Sequence, residues 1–534
     1  MPYDYATFPY VAPPGLTAPE ARHPVVIVGA GPIGLAMAID LAQHGVKSVV
    51  LDDNNVVSVG SRAICWAKRT LEIFDRLGVG ERMLRKGVTW KVGRQFHGDK
   101  EVYSFDLLPE PGHKYPAFIN LQQYYVEQYL IEQAQEFPDL IDLRFLNKVA
   151  DHIDHGSYVE LTVETPDGTY TLETEYYIAC EGAGSPTRQR MGLTFEGQTF
   201  EEHFLIVDVE MEQSPFGNDD TPERWFWFAP PFHKGQSALL HKQPDNIYRI
   251  DLQLGPETDP KEEATEEKVI PRIKAIVGDR PFRLDWMSVY KFRCAKLERF
   301  VHNRVLFVGD SAHVVSPFGA RGGNGGIQDV DNLGWKLAAV LQGDAPESLL
   351  ETYSEERTHG SAENILNSSR ATNFMTPKSP IEALFRDEVL NLAGEHPFAR
   401  KLINSGRLSR PCSLAGFRLQ TPGDAPQPPG TPLIDAPLTG PDGPTWLISE
   451  VKGRFTLMGF QGHDLPEIEG VARLRIGGTA EYPCFEDTEG LAAARYGTRH
   501  VYLIRPDAHV CAAFDTVDAD AIRAALARAM GRET

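Results

Sequence analysis

Four consecutive β-branched residues, Val25-Val26-Ile27-Val28, run straight into Gly29-Ala30-Gly31-Pro32-Ile33-Gly34. The apolar run is too short for a helix and reads as a strand buried on both faces, the habit of a parallel sheet. Leu35–His44 then reads as a helix closed by Gly45, and Val46–Leu51 as a second strand. Together they make a βαβ unit of about 30 residues, which commits the chain to an α/β fold. Gly29 allows a tight turn, Gly31 lets the backbone approach a pyrophosphate, and Gly34 lets helix and strand pack closely. The helix N-terminus offers unpaired N–H groups to phosphate oxygens. A glycine turn alone is common; here strand and helix flank it. Asp52, with Asp53 beside it, falls at the end of the second strand. A carboxylate there can accept both ribose hydroxyls of an adenosine without a 2′-phosphate. The unit reads as a dinucleotide site.

A second, longer signal lies at 304–326. Arg304–Val308 is another buried apolar strand and ends in Gly309-Asp310, followed by Ser311-Ala312-His313. Pro317-Phe318-Gly319-Ala320-Arg321-Gly322-Gly323-Asn324-Gly325-Gly326 then opens an amphipathic helix expected over Ile327–Leu341. Asp310 at a strand end suits sugar-like hydroxyls. The glycine-rich loop and helix start present N–H groups that favour an anion.

Composition narrows the partners. The 534 residues are 42% hydrophobic and 24% charged, so the chain buries a large core, and its length suggests about three to four domains. A formal net charge of −21 argues against nucleic acid as a partner. The six cysteines, Cys65, Cys180, Cys294, Cys412, Cys484 and Cys511, are scattered with no CxxC pair, which fits free thiols in a reducing cytoplasm. No apolar run is long enough to span a membrane, and the Pro-containing N-terminus lacks the pattern of a secretion signal.

Between Lys91 and Leu254, helical Gln122–Phe137 alternates with strand-like Tyr158–Glu164, Thr169–Ile178, Leu205–Glu210 and Tyr248–Leu254. These read as an antiparallel sheet inserted between parts of the nucleotide-binding domain. A helical stretch is expected from Glu347 to Ser405, then a Pro/Gly linker, Thr421–Pro444. The C-terminal part reads as a compact α/β module: Thr445–Phe460, Val471–Ile476, Val501–Ile504, Val510–Phe514 and a final helix Ala519–Met530.

The combined motifs resemble the FAD-dependent aromatic hydroxylases, the single-component flavoprotein monooxygenases, and within them the 3-(3-hydroxyphenyl)propionate, phenol and pentachlorophenol hydroxylases. The resemblance covers nearly the whole chain. It implies an α/β fold with a Rossmann-like FAD-binding domain, an inserted antiparallel-sheet substrate domain and a C-terminal thioredoxin-like domain. The N-terminal arm would be 1–22; the FAD-binding domain 23–90, 121–195 and 296–420, the last with the helical region; the substrate domain 91–120 and 196–295; the linker and thioredoxin-like domain 421–534.

The resemblance also assigns residues. Gly29, Gly31, Pro32 and Gly34 would meet the FAD pyrophosphate, and Asp52, where the family usually has Glu, the adenosine ribose. Arg62-Ala63, ahead of Arg69-Thr70-Leu71-Glu72, would reach the FAD, as would Gln123 of a Gln-x-x-x-Glu helix ending at Glu127. The family's Asp-Gly motif matches Glu181-Gly182, with Glu in place of Asp. Gly309-Asp310 would hold the ribityl chain; Pro317 and the loop Gly322, Gly323, Asn324, Gly325 to Gly326 would lie beside the isoalloxazine.

The implied chemistry is reduction of flavin by NAD(P)H, addition of O2 at C4a, and transfer of oxygen from the hydroperoxide to an activated ring. This suits aromatic catabolism and needs a closed, mostly apolar site and no metal. Tyr290 is the preferred polar group for activating a phenol, its alternative being a core tyrosine. Arg293 or Arg224 could pair with a substrate carboxylate; structural or solvated ion pairs are the plainer reading of both. His313 is read as structural. Phenol hydroxylase's acidic residue has no counterpart in Ile64-Cys65-Trp66-Ala67. Trp225-Phe226-Trp227-Phe228-Ala229-Pro230 echoes a halogenase motif but equally suits a strand, and no lysine supports halogenation. The C-terminal module, lacking a dithiol, is read as structural, often an interface element, and the expected assembly is a homodimer. Two competing classes stay open: an FAD dehydrogenase or reductase, and a non-enzymatic flavin-binding protein. No second dinucleotide fingerprint separates NADH from NADPH.

Overall fold

The computed structural model describes residues 4–60, 62–107, 110–217, 221–233, 235–255, 258–317, 319–403, 411–451 and 453–532. The run at Val25 forms strand His23–Val28, with Val25, Val26 and Ile27 wholly buried. Helix Pro32–Gln43 follows, opened by Pro32 in its first turn, where a missing N–H costs nothing. Strand Ser48–Asp52 then pairs parallel to the first. The sheet runs Val301–His302, Val305–Phe307, Gly168–Ala179, His23–Val28, Ser48–Asp52, Ile141–Phe145, and its central pairings are parallel. Strands Val159–Thr165 and Gly168–Ala179 therefore belong to this sheet. Expected in the inserted sheet, they instead form a hairpin whose second arm, twelve residues long, reaches into the core beside His23–Val28.

The second large sheet has the order His313–Val314, Arg283–Lys296, Glu196–Glu210, Ile247–Leu254, Ser237–Lys242, Glu223–Phe228, Val92–His97, Lys100–Asp106. It is mixed rather than purely antiparallel, because Glu223–Phe228 pairs parallel to Val92–His97. That pairing joins two distant pieces of chain, where no hairpin dictates direction. One face of this sheet packs Leu205, Val207, Tyr248, Ile250 and Leu252 under Val269, Ile273 and Val277 of helix Glu266–Val277. The other face packs Phe204, Phe226, Phe228 and Leu239 against Met375, Val389 and Leu390 of the helices within 349–393.

The glycine-rich helix spans Gly322–Leu341, one turn longer than its sequence suggests. Glycine has poor helix propensity, so the glycines read as loop; packing overrides the propensity and makes them the helix's first turn. Helix Leu349–Met375 crosses it, and helices Pro380–Ala393 and Pro397–Arg400 follow; the expected end of this stretch at Ser405 lies outside the described residues.

The C-terminal region forms a five-stranded sheet ordered Cys484–Phe485, Ala472–Ile476, Thr456–Phe460, Val501–Ile504, Val510–Phe514, with helix Ala519–Ala529 after it. Within the Pro/Gly segment, Pro437–Gly440 pairs with Gly443–Trp446. The turn after Val501–Ile504 drives charge into the main body. Arg505 Nη1 donates to Glu356 at 2.7 Å and Arg505 Nε to Asp507 at 3.0 Å, while Lys336 Nζ donates to Glu356 at 2.8 Å. Arg69 Nη2 donates to the Asp507 carbonyl at 2.7 Å and to Asp331 at 2.8 Å. Arg505, Asp507, Glu356 and Lys336 are at most 1% exposed.

Candidate active site

The first turn is built as a cradle. Gly29 has φ +108°, open to glycine at little cost, and a methyl on Gly34 would collide with the Gly29 carbonyl. A Cβ on Gly31 would meet nothing within 4 Å, so this turn leaves open space in front of a helix start that no side chain caps. Asp52 closes the turn from the strand end: Oδ2 accepts from Ala30 N at 2.6 Å and Oδ1 from Asn54 N at 2.8 Å. Burial raises its pKa against these two N–H bonds.

The second turn meets the first at one side chain. A carbon added to Gly309 would come within 3.1 Å of Ile33, and one added to Gly326 within 2.6 Å. Ile33, inside the first glycine turn, is thus the floor against which Gly309-Asp310 and the glycine-rich helix rest. Asp329 fixes Gly309: its Oδ2 accepts from Gly309 N at 3.0 Å and His313 Nε2 at 2.6 Å, its Oδ1 from Arg357 Nε at 2.6 Å. Burial would raise the Asp329 carboxyl, but His313 and Arg357 outweigh it and hold the pKa low. Asp310 is exposed and makes no side-chain hydrogen bond among the described residues. An open carboxylate at this strand end offers the acceptors a polyol needs.

Gly322, Gly323 and Asn324 have N–H groups with no partner among the described residues, as befits the first turn of a helix of 20 residues whose N-cap, Arg321, gives no side-chain cap. The Asn324 side chain is fully used: Oδ1 accepts from Ala67 N at 2.9 Å, and Nδ2 donates to Cys65 O at 2.9 Å and Ala320 O at 2.6 Å. It clamps strand Cys65–Ala67 onto the helix start. Gln123 is used similarly, accepting from Ala63 N at 3.1 Å and donating to Ser58 Oγ and Glu127. It positions the Arg62-Ala63 loop. Glu181 turns onto its own loop, accepting from Ser185 Oγ and from Thr187 Oγ1 at 2.8 Å; Gly182 has φ +78°.

Between this assembly and the second sheet lies a cavity of about 200 Å³. One wall is Pro317, Gly322, Gly323, Asn324 and the Arg62-Ala63 loop. The other is the sheet face carrying Phe204, Ile206, Leu239, Phe292, Arg224, His241, Arg249 and Asp251; Trp66, Trp90 and Phe118 close a side. Cys65 also lines it, and burial pushes its thiol up to about 11, so it is not a nucleophile at neutral pH.

Tyr290 sits on the strand of Phe292, its ring 6.4 Å from that of Trp286, and is not among the lining residues. Arg293 points the other way, as strand alternation requires, and lies over the Phe195 ring at 5.1 Å. His313 is buried and stacks on Phe300. The sequence reading did not single out His241, Arg249 or Asp251. Their signal was present: in Ile247–Leu254 polar Arg249, Asp251 and Gln253 alternate with apolar Tyr248, Ile250 and Leu252. That pattern reads as a solvent-facing side, but here the second face is covered too.

The residues present fit a flavin dinucleotide: an open phosphate cradle, a carboxylate at each strand end in Asp52 and Asp310, and an uncapped helix start on a largely apolar cavity. Comparison with known proteins agrees. A family model described as "FAD binding domain" matches residues 22–368. A flavin-dependent monooxygenase of Mycobacteroides abscessus is 30% identical over 387 residues, 68% of this chain and 78% of that protein. A 3-(3-hydroxy-phenyl)propionate/3-hydroxycinnamic acid hydroxylase of Mycolicibacterium gilvum is 29% identical over 434 residues, 80% of this chain and 74% of that one. Among solved structures, the flavin-dependent monooxygenase PieE, in complex with FAD and substrate, superposes with a TM-score of 0.82 at 22% identity over 97% of this chain and 100% of its own. OxyS anhydrotetracycline hydroxylase from Streptomyces rimosus gives 0.73 at 26% identity over 96% and 100%. The chain belongs to the FAD-binding domain family and is a flavin-dependent monooxygenase with FAD as its cofactor.

Proposed function

We propose that the protein hydroxylates a phenolic or related aromatic substrate, using NAD(P)H and O2. FAD supplies the redox chemistry. The chain's own residues bind, orient and exclude water. Gly29, Gly31, Pro32, Gly34 and Asp52 would hold the adenosine diphosphate half, and Gly309 and Asp310 the polyol. Pro317, Gly322, Gly323, Asn324 and Gly325 would border the ring system, whose negative oxygen would find the unpaired N–H groups of the glycine-rich helix. Gln123 and Glu181-Gly182 would act by shaping their loops, and Arg62 from the cavity rim. Of the polar candidates on Arg283–Lys296, Tyr290 shares the cavity's sheet face and Arg293 does not.

One observation carries this reading: a largely apolar cavity with an uncapped helix start on one wall and aromatic and aliphatic side chains on the other. Such a space keeps water from a reactive oxygen donor. The relatives' printed substrates, a hydroxyphenylpropionate in one and a nitrophenol in another, are single substituted aromatic rings.

We further read 421–534 as a linker and a thioredoxin-like structural module. Thr456–Phe460 is parallel to Ala472–Ile476 and antiparallel to Val501–Ile504, and Cys484 and Cys511 are unpaired. The same reading keeps the arm at 1–22, the FAD-binding parts at 23–90, 121–195 and 296–420, and the substrate parts at 91–120 and 196–295. It also takes a homodimer in the cytoplasm as the working form.

The test is NAD(P)H oxidation by the purified holoenzyme with a panel of phenols, hydroxybenzoates and phenylpropanoates, with and without O2. A hydroxylase oxidises NAD(P)H faster with its substrate and places oxygen-18 from 18O2 in the product. Substrate-dependent turnover without O2, and no label, would make it a dehydrogenase or reductase. Bound FAD with no response to any ring would make it a flavin-binding protein without this activity.

A further inference from the structure

Across the cavity sheet, one row of residues faces each other strand by strand. Asp208 opposes Arg249, Arg249 opposes His241, His241 opposes Arg224, and Arg224 opposes Gly93. Directly opposed residues share a face, and Arg249, His241 and Arg224 all line the cavity. The row is unevenly paired. Arg249 Nε reaches Asp251 at 2.7 Å and its Nη1 the Arg62 carbonyl at 2.8 Å. Arg224 has no such partner: its Nε is buried without a hydrogen bond, and no carboxylate reaches ion-pair distance of it among the described residues. The register explains why. One cross-strand neighbour, Gly93, has no side chain, and a carbon there would run into the Phe105 ring. The other, His241, is kept neutral by burial and by the two flanking arginines, and its Nδ1 is buried without a partner.

Several buried cations meet a carboxylate, and buried Arg188, which meets none among the described residues, donates instead to the Ala183 and Ser311 carbonyls. Arg69 faces Asp331, Arg357 faces Asp329, and Lys336 and Arg505 face Glu356. A desolvated guanidinium left without an anion is costly and is relieved by any carboxylate that reaches it. Burial already disfavours the charge on Arg224.

We propose that Arg224, with His241 beside it, is the anion anchor of the substrate cavity, and that the aromatic ligand carries a carboxylate that lodges there. The ring then lies among Phe204, Ile206, Leu239 and Phe292, toward the wall formed by Pro317 to Asn324. Arg224 acts on specificity: it fixes which end of the ligand points away from the glycine-rich helix. This inference rests on the cavity being the substrate site.

The test uses FAD-loaded enzyme and two matched ligand pairs, 3-hydroxybenzoate with 3-hydroxybenzamide, and 3-(3-hydroxyphenyl)propanoate with its amide. Binding is read from the flavin difference spectrum and function from NAD(P)H oxidation. In at least one pair the wild type should bind the carboxylate about 30-fold or more tightly than the amide. Arg224→Gln should bring that ratio close to one, and Arg224→Lys should keep part of it. Each ratio is internal to its variant, so a general loss of affinity does not imitate the effect. Equal affinity for acid and amide in both wild-type pairs, or a preference that survives in Arg224→Gln, would overturn the proposal. If neutral rings accelerate NAD(P)H oxidation while the acids gain nothing, the anchor falls and the hydroxylase stands. If no ring, charged or neutral, perturbs the flavin or its reduction, both fall.

Discussion

Two groups of charge, one half-buried and one fully buried, border the glycine-rich helix Gly322–Leu341, and they are built on opposite terms. Near its start, Arg224 and neutral His241 stand against a cavity with no counter-ion of their own among the described residues. Along its body, Lys336 meets Glu356, which also takes Arg505, which in turn is held by Asp507. The second group has no room for a ligand and needs none, because its charges neutralise each other. It fastens the C-terminal region to the flavin domain. The contrast shows that burial of charge alone says little about function; what matters is whether a partner is already in place.

The comparison can be broken most forcefully at Glu356. Glu356→Gln would leave Arg505 and Lys336 facing fewer charges in a dry interior, and should cost about 3–5 kcal/mol, read as an earlier thermal or urea transition of the holoenzyme. Lys336→Met removes a cation whose pKa burial lowers to about 8, while Glu356 keeps Arg505. Its cost should be smaller, about 1–2 kcal/mol, in the same measurement. Equal losses in the two variants would mean that the group is not organised around Glu356.

Acid should act on one group only. Burial would raise the Glu356 and Asp507 carboxyls, but Arg505 foremost outweighs it and holds both well below the ordinary carboxylate range. Their stabilising contribution is complete above the unfolded carboxylate pKa, about 4.5, and is lost as pH falls from there toward the depressed native values. Over that window each such carboxyl adds a slope of about 1.4 kcal/mol per pH unit. The stability profile of Glu356→Gln should fall less steeply than the wild type's by one such increment. The smallest effect has the opposite sign. Arg224→Met, in ligand-free holoenzyme, should gain about 1 kcal/mol of stability, because it removes a desolvated cation with no partner. A clear loss instead would show Arg224 to be structural.

The parts legible in sequence were those whose physics is local. A buried strand, a glycine turn and a helix in succession specify one another within a few residues, so the cradle around Gly29, Gly31 and Gly34 and the turn at Gly309-Asp310 could be read directly. The start of the long helix at Gly322 could not, since glycine's own preference argues against it and only packing decides. The cavity's chemistry was hidden for a different reason. Phe292 lines the cavity and Arg293 does not, a difference of one residue that depends on which way the strand is turned. Arg224 meets His241 only through pairing of separate strands, and the parallel partner places Gly93, which has no side chain, beside it. Register of that kind is a property of the assembled sheet.

The contact of Ile33 with Gly309 and Gly326 has a consequence for how the protein comes to life. The two glycine turns are separated by about half of the polypeptide, including all of the cavity sheet except its edge strand His313–Val314. A nascent chain that has just left the ribosome with its first turn complete has a phosphate loop without a floor. With both turns needed to hold the coenzyme, as proposed above, its retention would wait for the later turn to be synthesised and folded back, and a shortened translation product ending before Gly309 would be born colourless.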